Sequence, residues 1–141
     1  MIILDTNVVS EMMEATRDDQ VELWLNRTDP LSLWLTAILV FEIKGGLDLM
    51  HDGRRKRRLL AGFETLLDIE FRDRVFPFDG AAALEAARIG VERRRKGRPI
   101  DIKDTLIGGI AVSRGASIAT RNVRHFQGLP VQIINPWNVP A

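Results

Sequence analysis

The stretch MIILDTN, residues 1–7, decides the fold class of this chain. Ile2, Ile3 and Leu4 form a short apolar run, and polar residues follow at once from Asp5 onward. A short, uninterrupted apolar run is typical of a strand that is buried on both faces of a parallel sheet. We therefore predict a buried strand over residues 2–4 that ends in a polar loop at Asp5.

Strands and helices alternate along the rest of the sequence. Apolar runs predict further strands over residues 31–35, 75–76, 117–119 and 131–134. Helical spacing and capping residues predict helices over residues 8–13, 18–27, 36–47, 54–67, 79–96 and 101–115, with Thr36, Asp79 and Asp101 as N-caps and Gly97 and Gly115 as stops. Alternation of this kind favours an α/β fold with a parallel sheet covered on both faces. The length of 141 residues fits one domain, predicted over residues 1–141.

The helix predicted over residues 79–96 carries a small-residue face, formed by Ala82, Ala83, Ala86, Ala87 and Gly90. Such a face permits close approach of another helix, either inside the domain or across a dimer interface. The sequence leaves both possibilities open.

The composition narrows the chemistry. There is no cysteine, which excludes disulfides, thiolate zinc sites and cysteine nucleophiles. His51 and His125 are the two histidines, so a histidine-rich zinc or copper site is not expected. Carboxylates that favour magnesium or manganese remain available.

Residues 1–7 do not resemble a secretion signal, and no apolar run approaches membrane-spanning length, so we expect a cytoplasmic protein without membrane association. The net charge is only +1, but basic residues are concentrated in two runs. The runs are Arg54, Arg55, Lys56, Arg57 and Arg58, and Arg93, Arg94, Arg95, Lys96 and Arg98. Each run either contacts phosphates or forms a solvated helix face or helix C-terminus.

Polar residues follow two of the predicted strands directly. Asp5 follows the first strand, and Thr120, Arg121 and Asn122 follow the fourth. Ligands of open α/β sheets bind beyond the carboxyl ends of the strands, so these residues share a crevice if the two strands are neighbours. An Asp at this place is also a common helix cap or turn former. A phosphoacceptor role is disfavoured, because position 7 is Asn and the DxD pattern is absent.

Glu42 and Asp104 are the other candidate acids. Between Leu31 and Phe41 the only polar side chains are Ser32 and Thr36, so Glu42 lies in an apolar surround and needs a partner, which a nearby Arg or Lys could also provide. Asp104 lies in the first turn of a helix, where the helix dipole favours an acid regardless of function. Residues 105–113 carry no charge, as expected for a helix buried on most sides.

Three carboxylates brought together resist ionisation unless a cation compensates them. Magnesium does so with oxygen ligands, makes its bound water a better nucleophile and stabilises the charge that develops on a phosphodiester. This is the chemistry of phosphodiester hydrolysis.

Four segments carry a family resemblance. They are LDTNVVSE (residues 4–11), FEIKGGL (41–47), GRPIDIKDTLIGGIA (97–111) and ATRNVRHF (119–126). In this order they resemble the PIN-domain endoribonucleases, specifically the VapC toxins and FitB-like proteins of bacterial toxin–antitoxin pairs. The resemblance implies Mg²⁺ or Mn²⁺ held by Asp5, Glu42 and Asp104, and metal-dependent cleavage of RNA. It also implies a homodimer in a larger toxin–antitoxin assembly, neutralised by a small antitoxin whose C-terminal segment fills the active groove.

The chain departs from the family pattern at one place. Many relatives carry a fourth acid at the position of Asn122 or three residues later, where this chain has His125. We expect Asn122 to assist catalysis by orienting a metal-bound water, with Thr6 or Thr120 supporting the carboxylates. His125 is either a general acid or base or, as is more common for a lone histidine, structural. The loss of the acid leaves open whether one metal ion or two are bound.

Two rival hypotheses remain. One is a catalytically inactive module on the same fold that binds RNA or a protein partner, motivated by the missing fourth acid. The other treats the acids as caps and salt bridges in an α/β protein of another role.

Overall fold

A computed structural model describes residues 1–99 and 101–138 of the chain. The strands of this part are β1 (Ile2–Leu4), β2 (Leu33–Thr36), β3 (Val75–Phe76), β4 (Ser117–Ala119) and β5 (Ile133–Ile134). They form one sheet in the order β3-β2-β1-β4-β5, and every pair of neighbours is parallel. The predicted α/β class is therefore confirmed.

Helices cover both faces of the sheet. They are α1 (Thr6–Met12), α2 (Asp19–Arg27), α3 (Ala37–Asp48), α4 (Arg54–Thr65), α5 (Gly80–Arg95) and α6 (Ile102–Arg114). Successive strand residues point to opposite faces, so Leu4 joins a core with α1, α3 and α4, whereas Ile3 joins a second core with α5 and α6. No helix in the described residues is long and apolar enough to cross a membrane.

The predicted caps are confirmed. Thr36 accepts the Leu39 N–H over 3.1 Å, Asp79 accepts the Ala82 N–H over 3.0 Å, and Asp101 accepts the Lys103 N–H over 2.8 Å. Gly97 and Gly115 follow α5 and α6 with φ of 68° and 62°, a left-handed conformation that glycine adopts without strain.

Several predicted boundaries were wrong. The strand predicted over residues 31–35 begins at Leu33, because the Asp29 side chain accepts the Leu31 N–H and starts a 3₁₀ turn over Pro30–Ser32. The strand predicted over 131–134 is only Ile133–Ile134, since its partner β4 is short and pairs just those two residues.

Two helix ends also differ from the prediction. Helix α1 begins at Thr6 rather than residue 8, because Asp5 caps it. Helix α4 ends at Thr65 and continues as a π-helical turn over Leu66–Glu70, whereas an α-helix through residue 67 was predicted.

Part of the small-residue face of α5, at Ala82 and Ala86, packs against α6 inside the domain, which is one of the two predicted possibilities. A Cβ added at Gly109 of α6 would lie 2.6 Å from the Ala82 carbonyl oxygen and 2.7 Å from Ala86 Cβ. Both alanines are buried, whereas Ala83 and Ala87 line a surface groove. Helix α6 therefore packs closely on α5 at Gly109, on the same helix that carries Asp104.

Candidate active site

Asp5 lies at the carboxyl edge of the sheet, where β1 and β4 are neighbours with Leu4 beside Ala119. Its Oδ1 accepts the Thr6 N–H over 2.8 Å and thereby caps α1. Its Oδ2 accepts the Thr120 hydroxyl over 2.8 Å. Asp5 is buried, with 4% of its surface exposed, so these bonds hold the carboxylate in one orientation. The predicted support from Thr120 is therefore present in the structure.

Glu42 reaches the same region from α3, with 17% of its side chain exposed. Its Oε2 lies 3.6 Å from the Lys103 ammonium nitrogen of α6. Burial raises the pKa of the Glu42 carboxyl above its ordinary value, and the Lys103 charge opposes that effect. The salt bridge considered as an alternative role is thus formed, and it is formed at the cleft.

Asp104 lies in the first turn of α6, as predicted, with 16% of its side chain exposed. Its Oδ2 lies 2.7 Å from His125 Nδ1. Burial, and then the negative charge of Asp5, raise the pKa of the Asp104 carboxyl, while the contact with His125 lowers it. Asp104 and Asp5 are therefore close enough to repel each other.

The loop after β4 adds Asn122 and His125. The Asn122 N–H donates to the Thr120 hydroxyl oxygen over 3.0 Å, and the His125 N–H donates to the Asn122 carbonyl over 3.0 Å. Both side chains line the cleft. The His125 ring contacts a carboxylate and has 45% of its side chain exposed, so it is not a core residue.

All of the predicted site residues border one cleft of about 370 Å³. Its lining comprises Asp5, Thr6, Asn7, Glu42, Asp101, Lys103, Asp104, Asn122 and His125. The cleft thus has four carboxylates against a single lysine and a histidine. A cation is the ligand that this excess of negative charge favours.

The donor set fits a magnesium-type ion by its chemistry. Carboxylate oxygens are the ligands this ion prefers, and the cleft lining provides four carboxylates and the amides of Asn7 and Asn122. As the side chains stand, no three His, Asp or Glu side chains of residues 1–99 and 101–138 are close enough to hold one ion together. Side chains must therefore rotate before the carboxylates can hold an ion together. This rotation would also change the contacts of Glu42 with Lys103 and of Asp104 with His125.

Sequence reasoning did not single out Lys103, Asn7 or Asp101 as parts of the cleft. Asn7 is joined to the loop after β4, because its Oδ1 accepts the Arg121 N–H over 3.2 Å. Lys103 is adjacent to Asp104 in sequence, and that proximity was the only available signal. Asp101 was predicted as a cap, which it is, and it also borders the cleft.

The basic runs lie outside the cleft lining. Arg93, Arg94 and Arg95 form the last turn of α5, where the helix dipole favours cations, and they line the larger groove of about 680 Å³ between α5 and α6. Arg55 lines another groove that shares Thr6 and Glu42 with the cleft. The first run is therefore connected to the candidate site through a groove that shares two lining residues with the cleft.

Comparisons with known proteins identify the family of this chain. The family model described as PIN domain matches residues 2–130. The chain is 35% identical over 137 residues to the VapC ribonuclease Y4jK of Sinorhizobium fredii, covering 97% of this chain and 98% of that protein. It is 32% identical over 138 residues to toxin FitB of Neisseria gonorrhoeae, covering 98% of this chain and 99% of FitB.

A solved structure of FitAB bound to an IR36 DNA fragment superimposes with a TM-score of 0.91 at 31% identity, covering 100% of this chain and 99% of that one. The family model, the similar proteins and the matching fold agree on one family. The chain belongs to the PIN domain family.

Proposed function

We propose that this chain is a magnesium-dependent endoribonuclease that acts in the cytoplasm as the toxin of a toxin–antitoxin pair. The observation that carries the proposal is the convergence of Asp5, Glu42 and Asp104 from three separate elements on one cleft of a PIN domain. The name of the relative VapC ribonuclease Y4jK supports RNA as the substrate.

In this proposal Asp5, Glu42 and Asp104 hold Mg²⁺, for which Mn²⁺ can substitute. When bound, the cation supplies Lewis-acid chemistry, lowering the pKa of a water nucleophile and stabilising charge on the phosphodiester. The Thr120 hydroxyl and the Thr6 N–H orient Asp5. Asn122 at the cleft can orient the attacking water through its amide.

Lys103 has two roles in the proposed reaction. Its ammonium group keeps the Glu42 side chain directed into the cleft while no cation is bound. With Glu42 among the residues that would hold the cation, Lys103 would be free to contact a phosphate oxygen of the RNA. Arg55, which lines the adjoining groove, is placed to contact the RNA backbone further along.

The proposed partner is a small antitoxin protein. The groove of about 350 Å³ beside the cleft is lined by apolar side chains, namely Met13, Ile43, Leu47, Met50 and Leu59. It shares Thr6 and Glu42 with the cleft, so an antitoxin segment lying in it would reach the carboxylates. The names toxin FitB and FitAB support this assignment. The homodimer and the larger toxin–antitoxin assembly remain predictions from the family resemblance.

A second candidate is an inactive module that binds RNA or a partner on the same fold. It is favoured by Asn122 in place of a fourth acid and by the contacts that occupy Glu42 and Asp104. The first candidate cleaves RNA, whereas the second binds RNA or a partner without cleaving RNA.

The test is cleavage of total bacterial RNA by purified, antitoxin-free protein, in Mg²⁺ and in EDTA, with wild type, Asp5→Asn and the control Asp18→Asn. Asp18 caps α2, outside the cleft, so the control removes a capping carboxylate without touching the site. We expect discrete fragments that require both Mg²⁺ and Asp5. Intact RNA throughout, with folded protein, would favour the binding module, and full cleavage by Asp5→Asn would refute the site assignment.

A further inference from the structure

Two loops leave the sheet side by side at the edge that carries Asp5. One is Thr120–Asn122 after β4, and the other is the turn at residues 135–138 after β5. Strands β4 and β5 are parallel neighbours, and the Thr120 N–H donates to the Ile134 carbonyl over 2.9 Å. The second loop is therefore held next to the loop that contributes Asn122 to the cleft.

Arg121 and Trp137 are in contact across these loops. The guanidinium carbon of Arg121 lies 5.0 Å from the centre of the Trp137 ring. The Arg121 backbone is anchored by its N–H bond to Asn7 Oδ1 at the cleft. Trp137 is anchored by its own N–H, which donates to Asn135 Oδ1 over 2.9 Å, and its half-buried ring packs against the core that contains Leu4.

We propose that Arg121 and Trp137 form a stacking platform for a nucleobase of the RNA that enters the cleft. The Arg121 guanidinium lies over the indole ring and Arg121 is exposed, so a base can stack on the guanidinium from the solvent side. This inference rests on the proposed function, because it assigns the platform to the same RNA. It adds a base-binding position to a site otherwise built for the phosphodiester.

The charge of Arg121 is available for this role. Among residues 1–99 and 101–138, every ion pair involves a cation other than Arg121. A guanidinium is planar and weakly hydrated, and it stacks on aromatic rings and bases, whereas an ammonium group offers only a point charge. Lysine at this position would keep the charge and remove the platform.

The experiment measures binding rather than cleavage. Fluorescence anisotropy with a short, labelled single-stranded RNA in EDTA compares wild type, Arg121→Lys and Arg124→Lys. Arg124 is an exposed arginine of the 3₁₀ turn that follows this loop, and no cation–π contact in the described residues involves it, so Arg124→Lys is the matched control. We expect Arg121→Lys to weaken binding about fivefold or more, the lower range for loss of one stacked base. The control should bind like wild type.

An abasic version of the same RNA separates stacking from phosphate contact. It should weaken wild-type binding and abolish the difference between wild type and Arg121→Lys. Trp137→Leu, with its fold checked by circular dichroism, should weaken binding in the same direction as Arg121→Lys.

Unchanged affinity of Arg121→Lys, or an equal loss on intact and abasic RNA, would overturn the platform. Because no cleavage is measured, a chain that fails as a ribonuclease can still confirm the platform, and the two proposals fail separately.

Discussion

Asp5 uses one carboxylate for the fold and for the candidate site. One oxygen accepts the Thr6 N–H and caps α1, and the other accepts the Thr120 hydroxyl. From the sequence, an Asp after a strand was either a cap or a member of a catalytic cluster. In the structure it is a cap that also borders the cleft, because a strand end is both the start of the next helix and the ligand-binding edge of a parallel sheet.

Thr120→Val tests the support of Asp5. The substitution removes the hydroxyl that donates to Asp5 and accepts the Asn122 N–H, so the carboxylate keeps only one of its two orienting bonds. We expect RNA cleavage to fall at least about tenfold, as for other groups that orient metal ligands. Thr120→Ser keeps the hydroxyl and should retain most of the activity. Equal cleavage rates for Thr120→Val and wild type would show that this bond does not matter.

Glu42→Gln tests whether ionisation of the buried Glu42 carboxyl destabilises the fold. The raised pKa of Glu42 means that the folded chain holds this proton more tightly than the unfolded chain, so its ionisation destabilises the fold as pH rises above the ordinary value of 4.5. In EDTA, the melting temperature of Glu42→Gln relative to wild type should therefore increase from about pH 4 to about pH 7. A difference that stays constant over this range would contradict the assigned cause.

The site residues could be predicted to different extents. Asp5, Glu42, Asp104 and Asn122 were predicted to share a cleft, and they do. Support from Thr120 and a basic partner for Glu42 were also expected, but the identities of Lys103 and His125 as partners were not, because these contacts join separate elements. Such contacts depend on helix placement and side-chain rotamers, which sequence spacing does not determine.

At the scale of elements, the position of α6 decides whether the carboxylates meet. Helix α6 carries Asp104 and Lys103, and its close packing on α5 at Gly109 fixes its depth in the domain. Helix caps were predictable because capping is local, a side chain accepting an N–H two or three residues away. The starts of β2 and β5 were not, since a 3₁₀ turn capped by Asp29 precedes β2 and β5 extends only as far as β4 pairs with it.

Gly109→Ala tests this packing. The new Cβ would lie 2.6 Å from a backbone oxygen of α5, so the helices must separate. We expect a loss of about 1–3 kcal/mol in the free energy of unfolding, measured by urea denaturation, as for other overpacked cores. Gly62→Ala in α4 is the matched control, because nothing lies within 4 Å of its added Cβ. The control should be neutral or slightly stabilised, since alanine favours helix. Equal stability of the two variants would contradict the account of the helix contact.

At the scale of the whole molecule, the carboxylate cleft links metal binding to folding. A cation that binds only the folded chain stabilises it by mass action. We expect Mg²⁺ or Mn²⁺ to raise the melting temperature of wild type and of Asp18→Asn, and EDTA to reverse the effect. Asp5→Asn should show no such rise. A metal-induced rise of the same size in Asp5→Asn would place the ion elsewhere.

The most direct test of the central claim, that Asp5, Glu42 and Asp104 hold a divalent cation, is anomalous X-ray diffraction from crystals soaked in Mn²⁺. We expect an anomalous peak in the cleft, with oxygens of Asp5 and Asp104 binding the ion directly and Glu42 turned away from Lys103 toward it. No peak in the cleft at saturating Mn²⁺, with the carboxylates still bound to Lys103 and His125, would contradict it.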